Sequence, residues 1–252
     1  MKTNGKAVMI LMALVGISVL IFLAEKKYLV AQPRGSTVRN YQRLPWAEQI
    51  IFLVEDFEGL SKGDAGTMHK AKFFSYGSTQ ISVDHSMVDK DRMASKTALK
   101  IEWIPDATND YYGGWGKGVG SNIDLDTATD YFNLRIYLPQ ANGEDSIKIS
   151  LQEDDDDDGV FKEDEDDVWI YPLSVSAKDE WQLISIPLKD FTDENKGGDG
   201  IFNVTKKSGI HNIVFSLMKP DTYKQSRSWY FDFICFTSMK VTNANLTDQT
   251  NQ

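Results

Sequence analysis

Short apolar runs, separated by polar and turn-forming residues, dominate the chain from residue 50 onward. Eight of them are IIFLVEDF, ALKIEWI, FNLRIYL, SIKISLQ, VWIYPL, WQLISIPL, NIVFSLM and SWYFDFICF. All are rich in Val, Ile, Phe, Tyr or Trp, side chains that fit a pleated surface. Several alternate with period two. Leu134, Ile136 and Leu138 fall on one face, and Asn133, Arg135 and Tyr137 on the other. That is the pattern of a half-buried strand. Helical propensity is modest, at most a turn or two around residues 87–96 and 178–181. Eight spaced strands predict an all-β fold, a jelly-roll β-sandwich. No repeat period is visible.

One segment departs from this pattern. Residues 7–24 (AVMILMALVGISVLIFLA) form 18 residues without a charge. A helix of that length reaches about 27 Å, near the hydrocarbon thickness of a bilayer. Lys2 and Lys6 precede it, and Glu25, Lys26 and Lys27 follow. Charge on both sides leaves its orientation open. The segment reads as an uncleaved signal-anchor, a transmembrane helix preceding the sandwich. A cleaved signal peptide is the competing reading, with its best cut after Ala31. Either way the remainder is expected outside the cytoplasm, anchored in the cell envelope or secreted. The organisation that follows is a basic tail (1–6), the apolar segment (7–24), a polar linker (25–45), the folded domain (46–238) and a flexible polar tail (239–252).

The chain has 37 acids and 27 Lys or Arg, a net charge of −10. Residues 153–167, EDDDDDGVFKEDEDD, hold eleven of those acids and one lysine. The rest of the chain is therefore balanced. No stretch mixes dense Lys and Arg with stacking aromatics, so a nucleic-acid partner is not expected. An acidic run is often a solvated tail, but this one lies between two strand-like runs and reads as a loop. Its spacing also carries chemistry. Asp154, Asp156 and Asp158, then Gly159 and Glu165, fit D-x-D-x-D-G-x5-E, a calcium-loop pattern. Alternate carboxylates converge on a hard cation, the Val160 carbonyl adds an oxygen, and Glu165 closes the shell. An ion-free solvated loop is the competing reading.

Five pieces occur in order: VEDFEG, YYGGWGKGVG, DYFNLRIYL, WQLISIPLKDF and SWYFDFICF. With them the chain resembles the family 11 carbohydrate-binding modules and their relatives with a galactose-binding-like jelly roll, over residues 54–236. The resemblance implies a non-catalytic sandwich that binds polysaccharide on one face. It also implies a structural calcium tying the first strand to the last, on Glu58 and Asp232, with Asp56 a neighbour. Asp232 lies between Phe231 and Phe233, where a carboxylate is costly unless paired or metal-bound, or else points outward on an alternating strand.

Sugar recognition needs flat aromatic faces with polar groups nearby. Tyr111, Tyr112 and Trp115, in a glycine-rich stretch read as a loop, and Trp169 and Tyr171 beside the acidic run are the candidates. Trp181 and Phe191 read as core. Cys235, the one cysteine, reads as a buried thiol and excludes an intrachain disulfide. The three histidines have no zinc spacing, and no nucleophile elbow occurs. Glu102, Glu153 and Glu180 are isolated acids, so a glycoside hydrolase is the weakest reading. A structural or protein-interaction module of the envelope is the main alternative to glycan binding.

Overall fold

The computed structural model describes residues 49–58, 60, 72–87, 89, 95–104, 113–121, 123–142, 144–204, 209–218 and 226–242. Twelve strands run in order: β1 (Ile50–Glu55), β2 (Phe73–Gly77), β3 (Thr79–Asp84), β4 (Ala98–Trp103), β5 (Gly113–Ser121), β6 (Tyr131–Tyr137), β7 (Glu144–Glu153), β8 (Val168–Ser176), β9 (Trp181–Pro187), β10 (Thr192–Asp193), β11 (Ile210–Met218) and β12 (Arg227–Thr237). They form two six-stranded antiparallel sheets. Sheet A has the order β3-β4-β12-β6-β9, with β1 also on β12; sheet B has the order β10-β8-β7-β11-β5-β2. The fold is an all-β sandwich, and all eight apolar runs form strands.

Four strands among the described residues escape the apolar pattern, the two-residue β10 being one. The runs of β2 and β3 are short and half polar. The glycine-rich stretch expected as a loop is strand β5 from Gly113 onward. Among the described residues no helix is long and apolar enough to cross a membrane. The 7–24 segment, Tyr111, Tyr112 and the tail beyond 242 lie outside them.

The inward faces meet in one core. Leu134, Ile136 and Leu138 enter it as the alternation requires, together with Leu99, Ile101 and Trp229 from the same sheet. Sheet B sends Trp115, Ile149, Leu151 and Phe215. At the centre Trp115 stacks on Phe215 at 4.5 Å between centroids, and Phe231 of sheet A meets Trp115 edge-on at 5.0 Å. Asp145 on β7 is a polar tie between the sheets. It accepts hydrogen bonds from the Trp229 indole at 2.9 Å and the Arg227 guanidinium at 2.5 Å.

Strand β12 joins the two halves of sheet A. Its first residues pair with β4, its last with β1, and its other edge with β6. Between Asp232 and Cys235 it carries one more residue than β6, and Phe233 there has φ of 48°. This bulge reverses the alternation. Trp229 and Phe231 face inward before it, Ile234 and Phe236 after it. Phe233 and Cys235 turn outward into a second cluster with Ile50, Leu53 and Val241. The Cys235 thiol is fully buried, which pushes its pKa up.

The outer face of sheet A is therefore covered over this half. Asn133 and Arg135, on the polar face of β6, are also buried. Arg135 forms a two-point ion pair with buried Asp89, through Nε to Oδ2 and through Nη2 to Oδ1 at 2.9 Å. Two substitutions test this packing. Trp115→Ala should cost about 3–5 kcal/mol of unfolding free energy in urea melts, as expected for a large core aromatic. Arg135→Met should cost about 3–5 kcal/mol, because it breaks the buried two-point pair with Asp89. A loss near zero in either would contradict the packing described.

Candidate functional site

The outer face of sheet B is built differently. Register sets three rows across it. One is Ile170, Ser150, Val214, Gly116 and Phe74; the next is Pro172, Lys148, Ser216, Gly114 and Tyr76; the third is Val168, Gln152, Asn212 and Gly118. Because Trp115 points inward, its neighbours Gly114, Gly116 and Gly118 point out. The rings of the edge strand β2 lie over them. A Cβ on Gly116 would stand 2.3 Å from the Phe74 ring, and one on Gly114 would stand 2.3 Å from the Tyr76 hydroxyl. Phe74 is 38% exposed, and the Tyr76 hydroxyl is 2.7 Å from Ser216 Oγ. Beside the rings, Asn212 donates to Gln152 at 2.8 Å, and Lys148 pairs with Glu194 at 2.7 Å. Flat apolar rings next to amides, hydroxyls and a solvent-screened ion pair match the two faces of a sugar ring, its C–H surface and its hydroxyl edge.

At one end of this face the acidic run joins β7 to β8 as an ordered hairpin loop. Its carboxylates do the ordering. Asp166 accepts from the backbone N–H of Asp155 at 2.8 Å and of Lys162 at 2.6 Å, and Asp154 accepts from Gly159 at 2.9 Å. Asn195 docks the following loop on it. Its amide donates to the carbonyls of Glu163 and Asp166, and its oxygen accepts from Val168 N–H at 2.8 Å. Alternate side chains then diverge. Asp154, Asp156 and Asp158 bring one oxygen each within 4.8 Å of the others, and Glu153, Asp155 and Asp167 do the same. Burial, with Asp155 and Asp167 nearby, pushes Glu153 up to about 8. Burial and the charges of Asp155, Asp193 and Asp199 lift Asp167 to about 6.

No family model matches the sequence, and no curated protein does. Solved structures do match. A family 11 carbohydrate-binding module from Clostridium thermocellum, in complex with a β-1,3-1,4-mixed-linked tetrasaccharide, aligns at 16% identity and a TM-score of 0.51, covering 74% of this chain and 95% of that one. The solution structure of CtCBM11 aligns at 16% identity and 0.50, covering 73% and 92%. The chain has the jelly-roll fold of the family 11 carbohydrate-binding modules.

Within this jelly roll the residues singled out from the sequence are spread widely. Trp115 is 1% exposed at the centre of the core, so neither of its faces is free. Trp169 and Tyr171 stand on the inward face of β8, half-buried. Trp169 stacks on Phe202 at 4.8 Å, and Tyr171 packs on Phe191 at 5.6 Å. Phe191 is core as expected. Trp181 is not: it lies half-exposed on the outer face of sheet A beside Tyr137, at 5.8 Å, because register places it opposite that outward residue.

The calcium-loop spacing brings Asp154, Asp156 and Asp158 together in the jelly roll, but Glu165 is not in that group. Glu165 is half-exposed and bound by the Lys162 ammonium, which also reaches Asp158 at 2.6 Å and Asp156 at 3.4 Å. Val160 is 55% exposed at the loop tip. Glu58 and Asp232 both grip the segment before β4. Glu58 accepts from Lys96 N–H at 3.0 Å, and fully buried Asp232 accepts from Ser95 Oγ at 2.8 Å, with Arg135 opposite in register. Neither belongs to a described group of three converging acids. Phe74 and Tyr76 were missed because FFSYG lacks an apolar alternation; the G-x-G-x-G of β5 was the signal that something must cover it. Gly116→Ala should push the Phe74 ring off the strand. Fluorine NMR of a fluorophenylalanine-labelled protein should show a shifted and broadened Phe74 resonance; an unmoved resonance would contradict the contact.

Proposed function

We propose that the chain is a non-catalytic carbohydrate-binding protein that holds a polysaccharide on the outer face of sheet B. The observation that carries this reading is the pair of β2 rings, Phe74 and Tyr76, which reach over a glycine strip beside Ser216, Asn212, Gln152 and Lys148. The fold supports it, since a module of the same fold was solved with a tetrasaccharide. Sugar C–H groups stack on the rings, and the amides and hydroxyls take the sugar hydroxyls. Stacking on neutral groups needs no acid or base. Glu102 is held by Lys100 at 2.8 Å, and Glu180 lies exposed near Lys178, an arrangement that favours binding over hydrolysis.

In the same reading Asp154, Asp156 and Asp158 take a calcium ion in place of the Lys162 ammonium, stiffening the loop at the end of the face. The carboxylate chemistry fits a hard cation. The apolar segment at 7–24 anchors the chain in a membrane with the sandwich outside the cytoplasm, where polysaccharide is met. One observation favours a second reading, a protein-interaction module of the envelope: the half-exposed row of Tyr137, Trp181 and Tyr230 on the outer face of sheet A.

A glycan array followed by calorimetry on the full-length protein separates the two. Tyr76→Ala and Phe74→Ala should each weaken glycan binding at least tenfold, about 1.4 kcal/mol, while circular dichroism shows the sandwich still folded. Trp181→Ala should leave glycan binding unchanged. Absence of glycan binding, or loss with Trp181→Ala alone, would sink the sheet B reading.

A further inference from the structure

The odd-numbered side of the acidic loop has features that the calcium-loop spacing does not explain. Glu153 ends β7, Asp155 follows it, and Asp167 precedes β8, so the trio closes the base of the loop. Each offers one oxygen within 4.8 Å of the other two, and Glu153 and Asp167 are fully buried. The donors that reach Glu153 are neutral: Asn203 N–H at 2.9 Å to Oε1 and the Trp169 indole at 3.0 Å to Oε2. Gly200 N–H reaches Asp167 Oδ2 at 2.9 Å. Asp167 Oδ1 is buried and accepts no hydrogen bond. It faces Gly198, whose φ is +68°. A Cβ there would stand 2.1 Å from Asp167 Oδ1 and 2.4 Å from Asp155 Oδ2. Only a residue without a side chain leaves those two oxygens their space.

No Lys or Arg among the described residues pairs with Glu153 or Asp167, and burying such carboxylates costs several kcal/mol unless a metal compensates. Lys162, the lysine of the run, serves the other side of the loop. All the groups that converge are hard oxygens, the ligand type of calcium, which takes about six to eight of them. They come from both ends of a hairpin, with a second loop against them. An ion tolerant of coordination number and angle suits that better than magnesium, which demands a near-ideal octahedron.

We propose that Glu153, Asp155 and Asp167 form a second calcium site, distinct from Asp154, Asp156 and Asp158, that ties the base of the acidic loop to the 193–204 segment. Backbone carbonyls and water complete the shell. The ion removes the repulsion between the three acids and fixes Trp169 through Glu153. The site is independent of the sugar-binding reading, and its test contains no sugar.

Terbium, a luminescent substitute for calcium, reports on this site because the Trp169 indole touches a ligand carboxylate. Terbium added to the full-length, chelator-washed protein should glow on tryptophan excitation, and calcium should displace it. Trp169→Phe should remove most of that emission. Asp167→Asn should weaken the calcium competition at least tenfold and shrink the calcium-induced rise in melting temperature, whereas Asp156→Asn should keep the Trp169-sensitised signal. Asp155→Asn gives the same reading if Asp167→Asn fails to fold. A dark wild type, a signal unchanged in Asp167→Asn and Asp155→Asn, or one abolished by Asp156→Asn would overturn the proposal.

Discussion

The inward lock of Trp115 is the constraint on which the rest of the molecule depends. Its stack on Phe215 and edge contact with Phe231 join the two sheets at their centre. A strand alternates strictly, so fixing Trp115 inward fixes Gly114, Gly116 and Gly118 outward. A strand bare of side chains would expose its backbone to water. The rings of Phe74 and Tyr76 reach over it instead, and so place two aromatic side chains on the outside. The aromatic side chains on the outer face of sheet B are thus a consequence of how the core is packed.

The two outer faces have different fates for a related reason. On sheet A the bulge at Phe233 turns Phe233 and Cys235 outward, and a second apolar cluster gathers over them. Arg135, Asp89, Asn133 and Asp232 are buried beneath the segments that cover this half. In sheet B the β7–β8 pairing runs without a register shift, and the outward positions of β7 are polar: Ser146, Lys148, Ser150 and Gln152. One sheet is sealed over much of its surface, and the other keeps Phe74 exposed on its outer face.

Much of this was legible in the sequence. The alternation of Leu134, Ile136 and Leu138 gave β6 and its inward face, the eight apolar runs gave eight strands, and the short motifs gave the fold. The acidic run between two strands was readable as a loop. What escaped has physical causes. Trp115 among glycines looks like a loop aromatic, because glycine signals turns more often than the exposed half of a strand. Trp169 and Tyr171 alternate correctly but face inward, since parity alone does not say which side is the core. Arg135 is polar yet buried, because its cover comes from segments remote in sequence. The D-x-D-x-D-G spacing found one set of acids, while the set of opposite parity, Glu153, Asp155 and Asp167, needed the hairpin to bring its ends together.

The acidic loop links these layers to function. It sits at the end of the open face, and Trp169 ties it to the core through Phe202. Its charge is divided between one lysine and two groups of carboxylates that suit hard cations. The outer face of sheet B is where a bound sugar is expected. Amide chemical-shift mapping, with the best-binding soluble oligosaccharide titrated into labelled full-length protein, tests it most directly. Shifts should concentrate at residues 74–76, 114–118, 148–152 and 212–216. Shifts confined to Tyr137, Trp181 and Tyr230 on the opposite sheet, or none at saturating sugar, would contradict it.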